Sequence, residues 1–145
     1  MDGLTKLEQE ISQWPNILVR PHRFGAREFN FGNAEVGHIH GGRVVDIPFT
    51  RSIRDALLAE GLAEGHRWVP NSGWITFRIR SEQDSRHALW LMRLSYLRYL
   101  LKTATDPDRL FEREAEQLQL SPRFKSLLEA FIRKTSEVPA EPLSA

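Results

Sequence analysis

The chain predicts an α+β fold, an antiparallel sheet of about four to six strands packed by helices and followed by a C-terminal helical pair. Short period-two runs divided by glycine-containing turns fill residues 17–47. Stripes of apolar residues at helical spacing stand before, between and after the strand regions. The runs follow one another through tight turns, which makes an antiparallel meander and not a series of parallel crossover units. With 145 residues, 41% hydrophobic and 27% charged, the chain is long enough to bury one sizeable core and has a globular composition.

Leu4, Leu7, Ile11 and Trp14 recur at helical spacing, so the spacing predicts a helix near 3–14, stopped by Pro15. Strands are expected from Ile17 to Arg20, Arg27 to Phe31, Glu35 to His40 and Arg43 to Ile47. Gly25, Gly32-Asn33 and Gly41-Gly42 supply the turns between them. Thr50 caps a second helix near 51–60, ending at Gly61. A further extended stretch holds Glu64 and His66. The turn Pro70-Asn71-Ser72-Gly73 then leads into a strand from Trp74, with Ile75, Phe77 and Ile79 toward the core and Trp74, Thr76 and Arg78 on the other face. Ser81 opens a long helix near 82–103. Asp106-Pro107 and Ser121-Pro122 mark two more starts, each a capping residue before proline at the first helical position. The expected organisation is a core over 1–103, a helical extension packed on it over 104–136, and a disordered tail over 137–145.

The chain has no cysteine, which removes disulfides, thiolate metal ligands and cysteine nucleophiles. No apolar run reaches the length of a membrane span, and the first residues lack the pattern of a signal peptide, so a cytoplasmic protein with no membrane partner is expected. Net charge is +1, and every base between residues 17 and 80 is an arginine. That suits a solvated sheet face better than a nucleic-acid surface, which would show a denser basic patch. There is no P-loop and no GxGxxG, hence no motif for a nucleotide cofactor, and Ser72-Gly73 is not a GxSxG elbow.

The densest chemistry lies between Pro21 and Gly42, which holds three of the five histidines, His22, His38 and His40. On a strand, His38 and His40 point to one face and can converge on a metal, an anion or a polar partner. Glu64 and His66 repeat that spacing. Together the four could surround one divalent ion such as zinc, iron or manganese, with Glu64 as ligand or general base. The competing readings are histidines hydrogen-bonded within a glycine-rich hairpin, and anion binding with Arg43 or Arg67. Asp46 could orient an imidazole or pair with Arg43 at the strand end. Trp74 with Arg78 could form a stacking platform, or Trp74 could pack under the first helix.

Trp14-Pro15, Pro21-His22-Arg23-Phe24-Gly25, Glu35-Val36-Gly37-His38-Ile39-His40-Gly41, Val45-Asp46-Ile47-Pro48, Gly61-Leu62-Ala63-Glu64-Gly65-His66, Ser72-Gly73-Trp74 and Leu94-Ser95-Tyr96 occur in this order. Through them the stretch from Trp14 to Tyr96 resembles the luciferase-like domain family, small domains whose biochemical role is unassigned for most members. The resemblance places family signature positions at His38, His40, Glu64, His66 and Trp74. Flavin-dependent luciferases look like much larger (β/α) barrels, for which this chain has neither the length nor the alternating units. The block from Gly73 to Tyr96 is also similar to α+β proteins of the MmcQ/YjbR type, which implies an open sheet backed by helices with any ligand on the sheet face or its edge. The favoured expectation is a ligand-binding or protein-interaction module whose working face holds His38, His40, His66, Trp74, Arg43 and Arg78, with an unidentified small molecule or protein as partner and a homodimer left open. The alternative is a small metal-dependent enzyme using His38, His40, His66 and Glu64. A nucleic-acid-binding module is the third reading.

Overall fold

The structure, a computed structural model, describes residues 3–137. The chain divides into two compact units, one ending at Tyr96 and one beginning at Leu97. The α+β expectation holds. Six strands, β1 (Ile17–Pro21), β2 (Arg27–Phe31), β3 (Ala34–His40), β4 (Val44–Pro48), β5 (Glu64–Gly65) and β6 (Trp74–Arg78), form one sheet in the order β1-β2-β3-β4-β6-β5. Every neighbouring pair is antiparallel. The first four strands are the meander that the turn glycines predict. Gly41 and Gly42 both take positive φ, +55° and +71°, in the β3–β4 turn, which the Arg43 N–H closes onto the His40 carbonyl at 2.9 Å.

Three helices belong to this unit: α1 (Lys6–Ser12), α2 (Arg51–Ala59) and the first part of α3 (Glu82–Thr103). α1 is shorter than its apolar stripe predicts because a capping box fixes its start. The Glu8 amide donates to the Thr5 hydroxyl at 3.1 Å and the Thr5 amide to the Glu8 carboxylate at 2.8 Å. α3 lies on the sheet through Met92, whose sulfur stands where a Gly37 side chain would be, and through Ser95, whose hydroxyl donates to the Val36 carbonyl at 2.7 Å. α2 packs beside β5 and β6. The core is the sheet face toward these helices, with Phe29, Ile39, Val45, Ile47 and Ile75 fully buried. Each such side chain stabilises the fold by roughly 1.5–3 kcal/mol.

One irregularity decides what the other face carries. Phe29 stands opposite Gly37 but Asn30 stands opposite Glu35, so Val36 is an extra residue in β3, a β-bulge. Val36 and Gly37 both turn to the core, and strict alternation breaks between Glu35 and His38. Residues Glu28, Asn30, Glu35, His38, His40, Asp46 and Thr76 therefore share the polar face.

The second unit contains α4 (Pro107–Gln117) and α5 (Pro122–Glu137), whose starts fall at the two predicted capping pairs. The Arg109 amide donates to the Asp106 carboxylate and the Phe124 amide to the Ser121 hydroxyl. α4 and α5 pack on each other, and Phe111, Ala115, Phe124, Leu128 and Phe131 are buried. Lys102 lies over the Phe131 ring at 5.3 Å. The tail expected over 137–145 falls, past Glu137, outside the described residues.

Candidate functional site on the polar sheet face

Asp46 is the hub of the polar face. It stands on β4 opposite His38 on β3 and Thr76 on β6, so backbone register alone brings the three together. Asp46 Oδ1 accepts from the Thr76 hydroxyl at 2.7 Å. Its Oδ2 lies 3.1 Å from His40 Nε2 and 3.4 Å from His38 Nε2. His66 Nε2 is 3.7 Å from Oδ1, too long for a closed hydrogen bond but within ion-pair range. One carboxylate is thus faced by three imidazoles.

His38 is buried and bound on both sides. Its Nδ1 lies 2.6 Å from Glu35 Oε2, a short charge-assisted contact that exists only because the bulge at Val36 carries Glu35 onto the histidine face. His22, from the turn after β1, stacks on the His38 ring at 4.3 Å and faces Glu28 at 3.7 Å, and its buried Nδ1 has no hydrogen-bond partner among the described residues. Burial works against the His38 charge, but hydrogen bonds to Asp46 and Glu35, together with their negative charges, outweigh it and push its pKa up to about 9. For Asp46, burial opposes the carboxylate. The hydrogen bonds from His38 and Thr76 and the charges of His66 and His38 win, and its pKa lies below the usual value.

His38, His40 and Asp46 place one ligand atom each within 4.8 Å of one another. Two ligands about 2.1 Å from one ion, at octahedral or tetrahedral angles, are separated by about 3.0–3.4 Å. The 3.1 and 3.4 Å separations from Asp46 Oδ2 to the two imidazoles match that spacing. Two histidines and one carboxylate form the donor set of non-haem iron sites and also suit zinc or manganese. The next shell is present as well, with Glu35 on the far nitrogen of His38 and Thr76 on the far oxygen of Asp46. His40, at 36% side-chain exposure, is the edge through which solvent reaches the cluster.

The expected residues divide clearly. His38 and His40 converge, and His66 joins them through Asp46. Trp74 lies on the polar face beside His38 and His66, with ring centroids 5.6 and 5.9 Å away, and not under α1, because its register opposite Pro48 aims it away from the helices. Glu64 shares the face opposite Thr76 but is exposed, and the carboxylate on which the imidazoles converge is Asp46. Arg78 is exposed two residues beyond Thr76, and Arg43 is exposed in the β3–β4 turn. Glu35, His22 and Thr76 are additions. Thr76 was readable from its place between Trp74 and Arg78, whereas Glu35 lies on the wrong face in any period-two reading. A cavity of about 360 Å³ lies elsewhere, between α1, the β3–β4 turn and the start of α3, where Lys6, Glu10, Glu82 and Arg86 mix charges without converging.

Residues 33–95 match the family model described as a luciferase domain, which spans β3, the hub strand β4, β6 and α3 as far as Ser95. No curated protein and no solved structure matches the chain.

Proposed function

We propose that the luciferase-like domain of this chain is a metal-centred ligand-binding module, in which His38, His40 and Asp46 hold one divalent transition-metal ion and leave positions open to a small molecule arriving at the polar sheet face. One observation carries the reading. Asp46 Oδ2 stands at ligand-to-ligand spacing from both imidazoles, the three donor atoms lie within 4.8 Å of one another, and Glu35 and Thr76 back their outer atoms. Three protein ligands leave a tetrahedral or octahedral ion at least one open position, the arrangement of catalytic and not of structural sites. Metal-dependent catalysis on a bound oxygen ligand is the chemistry this donor set supports.

The charge on His38 fits the same reading. Without an ion, a proton on Nε2 supplies the positive charge between Glu35 and Asp46, and loading replaces that proton while Nδ1–H stays on Glu35. The same buried imidazolium also favours a second reading, in which the proton is the permanent occupant and the cluster simply braces the hairpin.

Metal analysis of protein prepared without a histidine tag separates the two. Stoichiometric iron, manganese or zinc in the native protein, lost in His40→Ala, is the expected outcome, with affinity falling by at least about 100-fold. Azide added to the cobalt-loaded protein should then change its visible spectrum by entering an open position. Metal-free protein that neither gains zinc on titration nor changes stability with it would leave the second reading.

A further inference from the structure

We propose that His66 is a positioning residue and not a metal ligand, and that through it the loop of residues 67–73 is tied to the ion, so that loading the ion fixes the loop. This rests on the metal reading of His38, His40 and Asp46. The loop joins β5 to β6, and its two feet stand in the site. The His66 amide donates to the Trp74 carbonyl at 3.3 Å, closing the neck, while the His66 imidazole faces Asp46 and the Trp74 ring faces His38.

The tautomer of His66 decides its role. Its Nδ1 accepts the Trp68 backbone N–H at 3.1 Å, so in the neutral ring the proton sits on Nε2. Nε2 is the atom that points at Asp46, and as an N–H it cannot bind an ion without giving up that proton. It is aimed at Oδ1, the oxygen that Thr76 also holds, and not at Oδ2, which faces His38 and His40. An ion held on Oδ2 would stop the carboxylate rotating and keep Oδ1 turned toward the His66 N–H, now 3.7 Å away. That in turn holds the Nδ1 acceptor under the Trp68 amide.

The rest of the loop is anchored independently. Arg54 on α2 donates to the Pro70 carbonyl at 2.7 Å and the Phe49 amide to the Gly73 carbonyl at 3.0 Å. Ser72 holds Val69, its amide and hydroxyl donating to the Val69 carbonyl at 3.1 and 2.6 Å, so Arg67 and Trp68 are the loop residues that hang on His66. They carry the most solvent-exposed large apolar side chain among the described residues, Trp68 at 77%, with Arg67 stacked over its ring at 5.4 Å. A large apolar surface two residues from His66, the imidazole that faces the ion's carboxylate, is placed to cover a ligand on the polar face.

The test uses zinc alone as the probe and reads hydrogen exchange at the Trp68 amide beside zinc affinity. In the wild-type protein saturating zinc should slow that exchange by about tenfold or more. His66→Gln keeps an N–H directed at Asp46 but removes the Nδ1 acceptor, so affinity should stay within about threefold while the slowing disappears. His66→Ala removes both, and affinity should fall by about 10- to 100-fold. A fall well beyond 100-fold in His66→Gln would make His66 a ligand and overturn the assignment. Zinc bound stoichiometrically with no change in Trp68 exchange would overturn the link to the loop while leaving the metal site standing. Failure of the wild-type protein to bind zinc would remove the metal reading and this one with it.

Discussion

Replacing Glu35 by glutamine isolates the charge that the β-bulge brings to His38. The amide can still accept the Nδ1–H, so the hydrogen bond keeps its geometry while the negative charge is lost. In the metal-free protein His38 is raised from 6.5 to about 9, and its side chain is 9% exposed, so little of the effect is screened by solvent. At about 1.4 kcal/mol per unit, the full shift is on the order of 3 kcal/mol of stability. Glu35 and Asp46 both raise the value, so losing one of the two carboxylates should cost about 1–2 kcal/mol at pH 7. The sign follows from the direction of the shift. A raised histidine stabilises fully below its unfolded value of 6.5, and the contribution disappears as pH rises through about 9. Urea unfolding of both proteins in chelator, from pH 6 to pH 10, should show a gap that is widest at pH 6, nearly as wide at neutrality, and closes toward pH 10. The His38 ring followed by NMR should titrate near 9 in the wild type and distinctly lower in Glu35→Gln. A wild-type midpoint near 6.5, or a gap that stays constant over that range, would refute the reasoning.

Thr76→Val removes the hydroxyl that donates to Asp46 Oδ1, a bond to a buried carboxylate, and should cost about 1.5–3 kcal/mol in denaturant unfolding. Gly37→Ala places a methyl 2.8 Å from the Met92 sulfur and 3.2 Å from the Asp46 carbonyl, so overpacking of about 1–3 kcal/mol is expected, visible as a lower Tm. Ser95→Ala leaves the Val36 carbonyl without the hydroxyl that reaches it at 2.7 Å. It should destabilise by about 1–3 kcal/mol and also shift the His38 titration, although Ser95 lies on the helix side of the sheet.

The sheet was legible because its turns are written in glycine. Gly41-Gly42 fixes the β3–β4 hairpin, and with the hairpin fixed the pairing of His38 with Asp46 follows. Trp74, Thr76 and Arg78 were placed on one face by period two, and they lie there because β6 has no bulge. α1 was read too long because an apolar stripe shows which face is buried and not where the backbone stops, which the Thr5–Glu8 box decides at its start. The site was legible only in part. His38, His40 and His66 converge as their spacing predicts, but the i, i+2 interval points to Glu64 as the carboxylate, whereas Asp46 takes that place through cross-strand register, which spacing along one strand does not carry. Glu35 was hidden for a different reason, since nothing in Glu35-Val36-Gly37-His38 marks Val36 as the extra residue until its partner strand is in place.

That bulge links fold to chemistry. Gly37 has no side chain, and Met92 and Ile47 occupy the space one would fill, so α3 sits close against β3 at this point. The same helix presents Ser95 to the Val36 carbonyl, which the bulge turns out of the regular ladder. Helix packing on one face therefore holds the backbone irregularity that delivers Glu35 to the other face. Without it Glu35 would point into the core side, His38 would lose its outer carboxylate, and the two-histidine set would lack the partner that orients its buried member. The position of the carboxylate that completes the cluster around His38 is thus set by α3 from across the sheet. That is why Leu94-Ser95-Tyr96 and the histidine strand belong to one unit of structure.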